Sequence, residues 1–158
     1  MIHNPTNPSN IRYGRDIKVA AQGMTLQSLE VGTTESLDRA LRVMAQEYSD
    51  GLIVVTDPFL SAHRTRIVES TNRQKVPAVF GFKEFVESGG LISYGASLPE
   101  MYRRAATYVD KILKGAKAGD LPIEQPTKFE LMINMKTVKA LGPTIPQSVL
   151  LRADQVIE

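Results

Sequence analysis

Apolar residues recur along this chain with two periods, and the two take turns. Residues 10–22 set Ile11, Ile17, Ala20 and Ala21 on one helical stripe, with Ser9 or Asn10 as cap and Gly23 as stop. Residues 24–31 then alternate apolar and polar, as a strand does. Thr33-Thr34-Glu35-Ser36 offers oxygens to the first free amides of a helix whose inner face is Leu37, Ala40, Leu41, Met44 and Ala45. Residues 51–55, Gly-Leu-Ile-Val-Val, form a continuous apolar run between Asp50 and Thr56-Asp57-Pro58, the pattern of a buried parallel strand.

The alternation continues to the end of the chain. One helix is expected from residue 58 to about 72, a second buried strand over 76–80, a helical turn over 83–87 and a brief strand over 91–94. Residues 98–114 form the clearest amphipathic helix, with Leu98, Met101, Tyr102, Ala105, Ala106, Val109, Ile112 and Leu113 spaced by threes and fours, and Gly115 stops it. Residues 116–127 read as a loop, 129–133 as a strand, and 135–141 and 146–154 as two short helices.

Strands and helices that alternate over short loops imply an α/β fold: a doubly wound, mostly parallel sheet with helices on both faces. Ligands of such sheets bind beyond the carboxyl ends of the strands, where strand order reverses. The loops to inspect are therefore 4–7, 56–59 and 81–84.

Composition narrows the chemistry. A chain of 158 residues supports one packed core, and 19 basic against 17 acidic residues leave a charge of +2, too small and dispersed for nucleic acid to be the main partner. Without cysteine there is no thiol catalysis or cysteine-held metal. No dinucleotide or P-loop glycine pattern follows a strand, and neither His3 nor His63 has a second ligand at metal spacing, so no cofactor and no metal are expected. Asp57, Ser61 and His63 invite a hydrolase triad, but Ser61 and His63 stand two apart on a helix and point to opposite sides. Arg64, Arg66, Arg73 and Lys75 read as a solvated helix face. Thr56-Asp57-Pro58-Phe59 is richer: acceptor, donor and apolar wall lie within four residues after a buried strand, although Thr56 or Asp57 could equally cap the next helix.

Longer stretches carry a resemblance. Asn4-Pro5-Thr6-Asn7-Pro8, residues 50–59, Val76-Pro77-Ala78-Val79-Phe80-Gly81, Gly89-Gly90-Leu91-Ile92-Ser93-Tyr94-Gly95, residues 108–115, residues 120–131, Ile133-Asn134 and Ala140-Leu141-Gly142 occur here in order. In that order they resemble the ABC-transporter substrate-binding family that includes tryptophan- and tyrosine-type receptors.

The resemblance implies a two-lobed clamshell that closes on a small amino-acid-like solute, does no chemistry, and hands the solute to an ABC permease from an extracytoplasmic position. It makes residues 1–94 the ligand-binding lobe, 95–115 a hinge crossing at Tyr94 and Gly95 plus a helix of the first lobe, and 116–158 a return strand with C-terminal helices. It assigns solute contact to Asn4, Thr6 and Asn7, then to Thr56, Asp57 and Phe59, then to Gly81, Phe82 and Glu84, with Phe59 or Phe82 against the apolar part. The chain starts where the family's second lobe starts, its first strand cut to Met1-Ile2-His3, and residues 1–10 show no export signal, so as written it is expected in the cytoplasm. Two other classes stay open: a small cytosolic α/β enzyme or regulatory domain, and a non-binding remnant. The apolar side of helix 98–114 is expected either to fold back on the sheet or, preferably, to pair two copies in a symmetric homodimer.

Overall fold

The computed structural model describes residues 1–47 and 49–158. Short apolar runs make the strands: β1 (Ile2–His3), β2 (Leu29–Glu30), β3 (Leu52–Val54), β4 (Ala78–Phe80), β5 (Ile92–Ala96), β6 (Phe129–Asn134) and β7 (Gln155–Ile157). They form one sheet in the order β2-β1-β3-β4-β5-β6-β7. All pairs are parallel except β5 with β6. The helices are α1 (Pro8–Ala20), α2 (Thr34–Gln46), α3 (Pro58–Ala62), α4 (Arg64–Gln74), α5 (Lys83–Glu87), α6 (Leu98–Leu113), α7 (Met135–Leu141) and α8 (Gln147–Leu150).

The first crossover moves from β1 outward to β2, and the next three move the other way, to β3, β4 and β5. Right-handed crossovers therefore place α1 on one face and α2, α4 and α5 on the other. On that second face Leu37, Leu41 and Met44 of α2, Ile67 and Val68 of α4 and Phe85 of α5 bury Ile2, Leu52, Val54, Ala78 and Phe80. A smaller core at the other end joins Leu91 and Ile133 to Val138, with Leu141 and residues of α8 packed around them. Strand order reverses between β1 and β3, as a doubly wound sheet requires.

Several expected elements differ. The helix expected from residue 58 to 72 is two, broken at His63, whose ring Nδ1 lies 2.9 Å from the Phe59 carbonyl and whose backbone leaves the helical region (φ −100°, ψ 15°). α1 starts at Pro8 with Asn7 as its cap, so neither Ser9 nor Asn10 has that role. Its inward face is Asn10 and Gly14 rather than the stripe containing Ile11, which is 55% exposed. The strand expected over 24–31 shrinks to β2, because its neighbour β1 offers only two residues to pair with. α8 ends at Leu150, and β7 follows instead of more helix, held by a hydrogen bond from the Leu131 amide to the Asp154 carboxylate at 2.8 Å.

α6 leaves the sheet after β5 and buries none of its residues, so it does not fold back on the sheet. The segment after it, with a 3-10 turn at Ala118–Asp120, lies along α6 instead. Arg104 makes a two-pronged ion pair with Glu124, and the Tyr108 hydroxyl donates to the Pro122 carbonyl. That pair, chiefly through its hydrogen bond, draws the Glu124 pKa below the ordinary carboxylate value.

Candidate functional site

The three loops named from the sequence lie at the carboxyl ends of β1, β3 and β4, beside the reversal of strand order. They are cross-linked. The Asp57 carboxylate, 3% exposed, accepts from Asn4 Nδ2 at 3.2 and 3.3 Å and from Asn7 Nδ2 at 2.9 Å. It also caps α3 by accepting the Phe59 and Leu60 amides at 2.8 and 3.2 Å. Asn4 Oδ1 in turn accepts the amide and hydroxyl of Thr6 at 3.1 and 2.8 Å. An Asp at the end of a buried strand thus satisfies the orphan amides of the next helix and gathers the neighbouring loop with the same two oxygens.

The second and third loops meet through a missing side chain. A Cβ on Gly81 would lie 2.1 Å from Thr56 Cγ2, so only glycine lets the loop after β4 pack on Thr56. A Cβ on Gly95 would lie 1.9 Å from the Gly81 carbonyl oxygen, which brings β5 against that same loop. From Asn4 to Gly95 the candidate residues therefore form one connected rim.

Their exposure divides them. Asn4 and Asp57 are buried, Thr6 is exposed, and Asn7, Thr56, Phe59, Gly81, Phe82 and Glu84 are half-buried. Phe59 and Phe82 pack part of their rings on the main core, and Phe59 also lies 4.3 Å from the His63 ring, centroid to centroid. Tyr94 stacks on Phe129 across the β5–β6 pair at 5.9 Å, and Lys83 reaches Glu130 at 3.6 Å.

Of the hydrolase constellation, Ser61 Oγ donates to the Asp57 carbonyl and His63 to Phe59, so both serve the α3 backbone. Asn10 is the site-shaping residue that the sequence reading missed. Its side chain is wholly buried beneath the first two loops, and its only trace in the sequence is a polar residue on a face that should be apolar.

Known proteins share this architecture. A tyrosine-binding protein of Clostridioides difficile is 25% identical over 111 residues, 70% of this chain and 32% of its own. The crystal structure of a conserved domain protein from Vibrio cholerae matches with a TM-score of 0.89 at 25% identity, covering 98% of this chain and 53% of that one. An ABC domain from Streptococcus pneumoniae in complex with L-Trp matches at 0.89 and 27% identity, covering 99% and 55%. A ligand-free, open substrate binding protein with adhesive properties from Clostridium difficile shares the fold at 0.69 and 19% identity. The chain spans about half the length of these solved relatives and 32% of the curated one. The family model described as ABC transporter substrate binding protein matches residues 1–157, and the chain belongs to that family.

Proposed function

We propose that this chain is the solute-binding half of an ABC-type uptake receptor, holding an amino-acid-like solute at the three strand-end loops without chemical change. The carrying observation is the connected rim at the strand-order reversal, where an α/β sheet offers its site. Within it Asp57 and Asn4 hold the loops in place. Thr6, Asn7, Thr56 and Glu84 offer polar groups to the head of the solute, and Phe59 and Phe82 offer ring faces to its apolar part, with the Gly81 backbone between them. The L-Trp complex of one relative and the tyrosine-binding description of another favour an aromatic amino acid. Residues 1–94 form the lobe, 95–115 the hinge crossing at Tyr94 and Gly95 with the outlying helix, and 116–158 the return strand and C-terminal helices. The full-length parent works outside the cytoplasmic membrane with a permease, and the chain alone pairs with a second copy through α6.

One experiment tests the site. L-tryptophan and L-tyrosine, titrated into the labelled chain, should shift amides of residues 4–7, 56–59 and 81–84 with a Kd above about 1 mM, since one lobe supplies only part of the contacts. Asp57→Ala and Thr6→Ala should weaken that response. Shifts confined to other surfaces, or variants that respond as the parent does, would remove the site; micromolar binding would remove the half-site reading.

A further inference from the structure

The two strands on either side of the reversal part early. Ile2 pairs with Val54, and the Val55 amide still reaches the Ile2 carbonyl at 3.1 Å, after which the chains diverge into their loops. Beyond that point the Asn4 amide and the Thr56 carbonyl face a gap with no strand partner across it. The Asn10 side chain fills the gap: its Oδ1 accepts from the Asn4 amide at 2.9 Å, and its Nδ2 donates to the Thr56 carbonyl at 2.9 Å.

From this we infer that Asn10 is a positioning residue of the solute site, fixing the spacing of the first two loops from below without touching the solute itself. The inference rests on the function proposed above. Asn10 is 0% exposed, so the cleft cannot reach it. A wholly buried asparagine needs both of its amide groups satisfied. An apolar side chain of similar size would leave one backbone donor and one backbone acceptor unpaired in the interior, a costlier outcome than the net value of either bond. Asp57 ties the same loops by their side chains. Asn10 ties them by their backbones, bracing the start of the first loop against the end of the strand that leads into the second.

The inference is tested on the full 158-residue chain with L-tryptophan as probe, comparing Asn10→Ala, Asn10→Asp and Thr137→Val. Thr137 is a control: it is also buried and also bonds a backbone carbonyl, that of Gly89 at 2.8 Å, away from the site. Asn10→Ala should speed exchange of the Asn4 amide and weaken the L-tryptophan response, each by about tenfold, while leaving the β3–β4 amides protected. Asn10→Asp should do the same at about pH 7.5, where a carboxylate would face the Thr56 carbonyl. It should recover by about pH 5, where a buried carboxyl takes a proton and can again both donate and accept. Asp57, bonded to Asn4, and His3, its neighbour in the chain, are the ionisable groups beside the Asn4 amide, so the parent's own pH profile is the baseline. An Asn4 amide equally protected in Asn10→Ala, an Asn10→Asp variant without acid recovery, or a Thr137→Val variant with the same losses overturns the inference. Should Asn10→Ala not fold, the acid recovery of Asn10→Asp decides. A parent chain indifferent to L-tryptophan would refute the proposed function, and the Asn4 amide with its pH profile would still decide whether Asn10 joins the loops.

Discussion

The imidazole of His3 sits inside β1 opposite Glu30, with Nδ1 enclosed and without a hydrogen-bond partner among the described residues. Burial holds its pKa below the ordinary value, while Glu30 pulls the other way. The folded chain thus keeps a neutral ring at a pH where the unfolded chain, titrating near about 6.5, already binds a proton. His3 leaves stability intact above that pH and subtracts from it as pH falls toward the lower folded value. The urea midpoint should therefore drop between about pH 7.5 and pH 5.5, and His3→Leu should flatten that part of the drop. Equal pH slopes in the two proteins would refute it. Single residues were unevenly legible in the sequence. Asp57 announced itself as an acid at the end of an apolar run. Asn10 did not, because a helix cap and a buried bridging amide look alike until the fold brings the Thr56 carbonyl within reach. The family resemblance picks out Gly95 as a hinge residue, but its contact with Gly81 depends on how closely β4 and β5 approach.

That approach governs the elements around Gly95. An alanine methyl at position 95 would collide with a backbone oxygen, which cannot swing aside as a side chain can. Either β5 moves away from the loop after β4, or the pairing of β5 with β6 loosens. Gly95→Ala should cost about 1–3 kcal/mol, measured by urea unfolding against Gly119→Ala, where the new methyl meets nothing within 4 Å. Equal stability of the two variants would show that the contact is slack. Elements read well from sequence wherever pattern and burial coincide: α2, with its capping box and apolar face, and β3, with its unbroken apolar run. β4 also forms where its apolar run puts it, although its middle residue Val79 is 44% exposed rather than buried. They read poorly where tertiary contacts decide. A helix from residue 58 onward has no pattern break at His63, and the bend there comes from a ring bonded to the Phe59 carbonyl. β7 is three residues long and exists because β6 offers it an edge.

At the scale of the molecule the unresolved term is α6. The doubly wound sheet was legible because each strand–helix alternation points the same way, and the fate of α6 was not, because an amphipathic pattern names an apolar face without naming what covers it. In this chain the face stays open: Met101, Tyr102, Val109, Ile112 and Leu113 are between 43% and 82% exposed. The segment after α6, pinned by Arg104 and Tyr108, walls one side of an open groove of about 970 Å³ that Met101, Ala105, Ile112 and Leu121 line. Covering one large apolar side chain is worth about 1.5–3 kcal/mol, so covering several on each copy works against the entropic cost of bringing two chains together. A two-fold pairing would cover the same face on both copies at once. Light scattering at about 50 μM should therefore report a dimer, with amides of residues 105–112 slow to exchange, and Val109→Glu combined with Ile112→Glu should return a monomer of unchanged fold. Helix amides can be slowed within a single chain, so the mass decides first. A monomeric parent with those amides unprotected would mean that α6 stands uncovered in solution, and that only a further lobe, such as the longer relatives have length to supply, could close over it.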